Sequence, residues 1–349
     1  MLHFIGRARS SSSRMLRGLA LNSLAENREK PVEDDGEDTL GPLLTPEVLE
    51  ETLPIPEASQ APETLERQPP ITTKKADYPP PCEWSYQAFD APETWGDLKC
   101  FPVENKCGNG KMQSPIYIRG IYIDQTTDEY KLYNYVPVLR FNVRKNQFLR
   151  LTFEETEKRI LYAKSIDGVD LGNFTLTEMH LHTGIDFQNG SEHALPHGLT
   201  ALEIQFFHIK EGKHNITDAL SEADNVIALA ALFKVPGRYK KKEKAMNTSV
   251  VDGALKDLVD KIKGGGSSEK ALNLYDLLGN NTDEFYIYKG SLTYPPCTEG
   301  VRWLVLREPI IFQKRTWELV STILPKPSIR QVREKQAEHE IKLHWSTQS

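Results

Sequence analysis

From residue 112 onward, apolar and polar residues alternate in short runs, which predicts many strands and few helices. Leu139–Phe153 carries one alternating run, and Phe174–His182 and Ala201–Ile209 read as central strands. Asn225–Val235 is almost continuously apolar, as a strand buried on both faces is. Phe285–Tyr288 and Val301–Arg307 are strand-like again. Only Val251–Lys263 keeps a clear helical period: Leu255, Leu258, Val259 and Ile262 form one stripe, and Gly264-Gly265-Gly266 ends it. A short charged helix is predicted over Ala337–Lys342, within a charged tail spanning 331–349. The chain has no internal repeat.

The alternation also sorts the chemistry. In Glu178-Met179-His180-Leu181-His182, a strand turns both imidazoles to one face with Glu178 beside them, while Met179 and Leu181 face the other layer. Two imidazoles so placed can grip one metal ion, although a lone His-x-His is more often structural. A catalytic zinc takes three protein ligands and leaves a fourth position to water. The neighbouring strand, 202–208, is the natural source of the third. There Glu203, Gln205 and Phe207 share one face, and Ile204, Phe206 and His208 the other. If Glu203 or Gln205 faces the metal, His208 does not, unless a bulge shifts the register. The favoured set is His180, His182 and Gln205. His197, His208 and His214 read as surface or core histidines, and Phe206-Phe207 as core.

Composition narrows the class. The 349 residues are 39% hydrophobic and 26% charged, ordinary for a globular protein. No apolar run approaches the ~20 residues that a membrane span needs. A net charge of -6 argues against nucleic acid as a partner. Residues 1–30 differ from the rest: Arg7, Arg9, Arg14 and Arg17 stand among Ser10–Ser13, and the first acidic residue is Glu26. That composition suits a transit peptide to an organelle, the mitochondrion first, or else a retained basic arm. Residues 31–78 are acidic and Pro-rich and read as a flexible linker. The Lys240–Lys244 run reads as a solvated loop. Asn173, Asn215, Asn247 and Asn280 begin N-x-Ser/Thr triplets, a pattern that arises easily by chance.

Several motifs share one resemblance. Trp84-Ser85-Tyr86, Pro92-Glu93-Thr94-Trp95, Gln113-Ser114-Pro115-Ile116, the histidine stretch and Gly290-Ser291-Leu292-Thr293-Tyr294-Pro295-Pro296 follow each other as in the α-carbonic anhydrases. The match runs from about Trp84 to about Pro309, inside a domain placed at 79–330. It implies a mostly β, α+β fold: a large, mainly antiparallel central sheet with peripheral helices. It implies zinc, and the reversible hydration of carbon dioxide to bicarbonate. The family's third zinc histidine is Gln205 here, similar to the two-His, one-Gln pattern of the η-class. An amide oxygen is a weaker and harder donor, so looser zinc binding is expected.

The same resemblance assigns roles to other residues. Thr293 matches the threonine that orients the reactive water, and Glu192 the glutamate that holds this threonine. Glu203 matches the carboxylate behind the third ligand. Glu178 replaces a glutamine behind the first, and His193 matches a structural histidine. Phe207 and Ala228 replace two valines of the substrate pocket, one larger and one smaller; Leu292 and Trp303 complete it, and Tyr294 replaces a threonine. Gln147 stands at the proton-shuttle position and cannot carry a proton. Cysteines at Cys107 and Cys297 form a disulfide in extracytoplasmic relatives, which leaves Cys82 and Cys100 as the second pair and implies a secreted or other oxidising location. The alternative to an enzyme is a weak or inactive relative that serves as a binding module or assembly subunit, with a protein partner engaged through the N-terminal extension.

Overall fold

The computed structural model describes residues 82–86, 92–119, 124–126, 128–135, 137–153, 158–237, 247–279, 282–325 and 340–344. They belong to one compact unit, Lys74–Ser349. The basic segment 1–30, the linker 31–78, Lys240–Lys244, Asn280 and residues 337–339 of the expected terminal helix lie outside the described residues.

The strands in chain order are β1 (Asp124–Thr126), β2 (Glu129–Tyr133), β3 (Val138–Arg140), β4 (Asn142–Lys145), β5 (Leu149–Thr152), β6 (Ile160–Ser165) and β7 (Gly172–Thr183). They continue as β8 (Leu202–Lys210), β9 (Val226–Lys234), β10 (Ser267–Leu272), β11 (Phe285–Ser291), β12 (Glu299–Leu306), β13 (Ile310–Ile311) and β14 (Lys342–His344). The helices are α1 (Ile216–Ala219), α2 (Ser249–Lys263) and α3 (Lys314–Ser321). Twelve strands form one sheet along the path β1-β14-β11-β12-β9-β8-β7-β5-β4, with β13 on β9, β6 on β7 and β2 on β6. Most neighbours are antiparallel; β9 runs parallel to β12 and β13, and β1 parallel to β14. The mainly antiparallel sheet with peripheral helices is therefore present. None of the described helices is long and apolar enough to cross a membrane.

Two cores form because the central strands bury both faces. On one side Met179, Leu181, Ile204, Phe206, Leu229 and Phe233 meet the α2 stripe, Leu255, Leu258, Val259 and Ile262. On the other side Phe207, Ala228, Ala230 and Trp303 meet Trp95 and Ile116. Burying one such apolar side chain contributes roughly 1.5–3 kcal/mol, so each face is strongly held to its side. Helix α2 stops at the glycine run: Gly265 and Gly266 take φ of 74° and 94°, which a side chain would resist.

Two local readings change. The Leu139–Phe153 run is divided between β3, β4 and β5, because the chain turns at Asn146–Phe148 and returns as the β4–β5 hairpin. Lys342, expected at the end of a helix, instead begins β14, which pairs with β11 through Ile287↔Lys342 and Phe285↔His344. That strand lies between β1 and β11, and an ion cluster anchors it. Arg302, 4% exposed, donates from Nη1 to Asp167 and from Nη2 to Asp224, and Lys342 Nζ donates to Asp167 Oδ1 at 2.7 Å. Cys82–Cys100 and Cys107–Cys297 are disulfides, the second joining segments 190 residues apart. In the chain-entropy model a loop that long contributes about 5 kcal/mol.

Burial raises the Asp167 carboxyl, but hydrogen bonds and charge from Lys342 and Arg302 outweigh it and hold it at about 2. Asp167→Asn, which keeps the left-handed backbone at φ 52°, should lower stability by about 1–3 kcal/mol in urea titrations, since a nearly buried guanidinium loses a partner. The sign follows from the depressed pKa: the contribution is full above the ordinary 3.8. The wild-type advantage should therefore shrink as pH falls from about 4 towards 2.

Candidate metal centre

Register brings the candidate ligands together. On β7 and β8, His180 lies opposite Gln205, His182 opposite Glu203, and Glu178 opposite Phe207. A bulge between Leu176 and Glu178 absorbs one residue, so the alternation resets before the histidines and stays regular through them. His208 falls on the far face, where Nε2 meets the Tyr135 hydroxyl and Nδ1 lies 3.3 Å from the Ile227 carbonyl. Parity therefore excludes it from the centre.

Gln205 is fixed by its neighbours. Its Nε2 donates to Glu192 Oε2 and to Glu203 Oε1, both at 2.9 Å. Carboxylates only accept, so the amide nitrogen must face them and the amide oxygen must face away. Glu203 is the centre of this network. Its Oε2 accepts from the backbone N–H of Glu192 at 2.8 Å and of His193 at 2.7 Å, and its Oε1 accepts from His193 Nδ1 at 2.7 Å. His193 Nε2 then accepts from the Tyr288 hydroxyl at 2.7 Å, and Tyr288 meets Ser114 Oγ at 2.9 Å. Burial pushes the Glu203 pKa up, but hydrogen bonds from the His193 ring and backbone and from the Gln205 amide outweigh it, so the group stays ionised.

What remains on the imidazole side is a set of lone pairs. His180 Nε2 donates to Glu178 Oε2 at 2.9 Å, which leaves Nδ1 as the acceptor. Burial lowers its pKa to about 4, against the opposing pull of Glu178, so the ring is neutral at pH 7. His180 Nδ1, Gln205 Oε1 and Thr293 Oγ1 are buried and without a hydrogen-bond partner. Buried polar atoms rarely stay unsatisfied, and those of His180 and Gln205, which lie opposite each other on β7 and β8, suit a bound cation. Among the described residues, no three His, Cys, Asp or Glu side chains are grouped to hold a metal. The Gln205 amide oxygen is the donor that could complete a set with His180 and His182, and such a nitrogen–oxygen set would fit zinc.

One expected contact is not made. Thr293 Oγ1 has no partner, so Glu192 does not hold it. The oxygens of Glu192 instead accept from Gln205 and, at 3.2 Å, from the Tyr86 hydroxyl. A glutamine has two N–H groups to give, and here one goes to Glu203 and the other to Glu192.

The apolar wall is as complementary as its volumes suggest: Phe207 lies across from Ala228 and packs on Trp303 at 5.6 Å between ring centres. Phe207 also lies 4.5 Å from the His180 ring, and Leu292 and Tyr294 are buried nearby. Gln147 donates to the Trp84 carbonyl at 2.6 Å and lines an outer cavity. Sequence reading missed Phe148 and Arg150. Arg150 lies opposite His180 on β5, and the Phe148 ring lies 4.9 Å and 5.0 Å from the two imidazoles. The alternation that turns Leu149 and Leu151 to the far core could have placed both, once the β5–β7 pairing was known.

A mixed sheet carries two imidazoles and an amide on one buried face. Residues 90–344 match the model of the eukaryotic-type carbonic anhydrase family, and the chain belongs to that family, the α-carbonic anhydrases. It is 29% identical to carbonic anhydrase 3 of Rattus norvegicus over 233 residues, 65% of this chain and 82% of that protein. It is 29% identical to carbonic anhydrase 6 of Mus musculus over 239 residues (66% and 70%), and 28% identical to putative carbonic anhydrase 5 of Caenorhabditis elegans over 257 residues (71% and 75%).

Glu203→Gln should cost about 3–5 kcal/mol in urea titrations of the metal-free protein, because it turns an amide towards donors and breaks a buried charged network. Acid should also unfold the centre. Burial lowers His208 to about 3, as it lowers His180 to about 4. The unfolded chain takes up these protons first, so stability is full above pH 6.5 and falls below it, by up to about 1.4 kcal/mol per pH unit for each ring. His208→Leu should make that slope shallower, as read from urea midpoints between pH 7 and about 4.

Proposed function

We propose that the chain is a zinc-dependent carbonic anhydrase with a slow, enclosed centre, its zinc held by His180, His182 and Gln205. The observation that carries this reading is the clamp on Gln205: two buried carboxylates hold its nitrogen and leave its oxygen, without a partner, beside the imidazoles. Zinc held by neutral ligands supplies a water whose pKa falls to about 7. The chain's own residues do the rest. Glu178 and Glu203 orient His180 and Gln205, and partners of this kind commonly matter about 10–100-fold for metal affinity. Phe207, Ala228, Leu292 and Trp303 offer an apolar wall suited to carbon dioxide. Thr293 keeps a hydroxyl available to the reacting water, but without Glu192 to fix its direction. Gln147 cannot carry a proton, so proton export falls to buffer.

A second reading, a catalytically silent relative that serves as a binding module, is favoured by the separated Glu192–Thr293 pair and by the aromatic residues that cover the imidazoles. For the compartment, the basic first 30 residues support an organelle and the two disulfides support an oxidising lumen; a processed N-terminus with intact disulfides satisfies both.

Purified protein reconstituted with zinc should hold roughly one equivalent by elemental analysis and hydrate carbon dioxide faster when buffer is raised. Gln205→His should tighten zinc binding by several fold or more, and Glu203→Ala should weaken it about 10–100-fold. No bound zinc and no hydration above background would select the silent module. Unchanged affinity in Gln205→His would remove Gln205 from the ligand set.

A further inference from the structure

The candidate centre is shut off from the surface. His180, His182 and Gln205 expose no surface at all, and Thr293 is 3% exposed. Two cavities approach from outside. One, of about 230 Å³, is lined by Gln147, Phe148, Arg150 and Tyr294 among others. The second, of about 580 Å³, reaches Arg150, Glu178, Leu292 and Tyr294. None of the four centre residues lines either one. Arg150 and Tyr294 border both cavities and form a partition common to them.

What lies behind that partition is aromatic. Phe148, 6% exposed, covers both imidazoles, and Tyr294 sits 5.2 Å from its ring and 5.7 Å from His180. Arg150 spreads over both rings, its Cζ 5.5 Å from Phe148 and 5.1 Å from Tyr294. Outside them, Trp84 stacks on Tyr294 at 6.1 Å. Glu178 latches the group. Its Oε2 takes Arg150 Nε at 3.4 Å and the His180 Nε2 proton at 2.9 Å.

We propose that Arg150, Tyr294 and Phe148 form a gate over the His180–His182–Gln205 centre, latched by Glu178, which bars bulky molecules and admits small ones. The physical basis is a difference in strength between layers. The Arg150–Glu178 pair is partly exposed, 27% and 16% by side chain, so water competes for it and it opens easily. The rings beneath it are buried and resist displacement more. Because one carboxylate oxygen serves both the latch and His180, a shift of Arg150 is felt by a candidate ligand. The proposal takes its purpose from the metal reading, but its test does not need the metal.

The test treats metal-free, full-length protein with diethyl pyrocarbonate near neutral pH and maps modified histidines by mass spectrometry. The exposed His197 and His214 serve as references within the same chain. In the wild type, His180 and His182 should react at least about tenfold more slowly than these, the factor that an opening free energy of about 1.4 kcal/mol imposes. Phe148→Ala should raise their rate about tenfold or more, and Arg150→Gln, a milder change at the surface, by a few fold. Circular dichroism checks that each variant is folded; should Phe148→Ala fail it, Arg150→Gln carries the test. Wild-type His180 and His182 reacting as fast as His197 and His214 would overturn the gate, as would folded variants with unchanged rates. Slow, gate-dependent reaction in a protein that takes up no zinc would uphold the gate and overturn the metal reading instead.

Discussion

One buried carboxylate organises this centre. Glu203 accepts two backbone N–H groups from the loop that carries Glu192 and His193, a ring N–H from His193, and an amide N–H from Gln205. A fully buried charge is tolerated only when its lone pairs are filled, and here they are filled by groups from two separate stretches of chain. The loop therefore has little choice of position relative to β8. Through His193 and Tyr288, the same network reaches β11 and Ser114. A single negative charge thus fixes the loop, the third candidate ligand and the strand that leads to Thr293.

Replacing an imidazole by an amide beside that charge has a consequence beyond donor strength. The second amide N–H of Gln205 takes an oxygen of Glu192, and Thr293 is left without it. The change thus preserves the charge balance of the centre while loosening the group that would aim the reacting water. On the reading proposed above, that change weighs on the chemistry and not on the charge of the site. The aromatic cover acts in the same direction: Phe148, Phe207 and Tyr294 surround His180 at 4.5–5.7 Å between ring centres. Inside that cover the dielectric is low, which strengthens every polar contact made there and raises the cost of any left unmade. Tyr294 itself has its pKa pushed up to about 12 by burial, so it remains a neutral phenol at pH 7.

The strand pattern was readable because both faces of the central sheet are buried, and a one-residue slip would send every side chain to the wrong core. That is why Phe174–His182, Ala201–Ile209 and Asn225–Val235 were placed within one or two residues of β7, β8 and β9. Towards the ends of the sheet the constraint weakens. The hairpin inside Leu139–Phe153 and the strand at Lys342–His344 depend on where the chain turns and what it meets, and neither is written in a local period.

By itself the sequence determined which residues share a face: His180 with His182, Gln205 with Glu203 and Phe207, and His208 excluded. It did so because strand parity is a property of the backbone alone. Tertiary structure decided the rest. Which strands lie side by side set Arg150 and Phe148 over the imidazoles. Which donors compete for one carboxylate took Glu192 from Thr293. Both are outcomes of partners distant in the chain meeting in space, and no local pattern encodes which of several satisfied arrangements such partners will adopt.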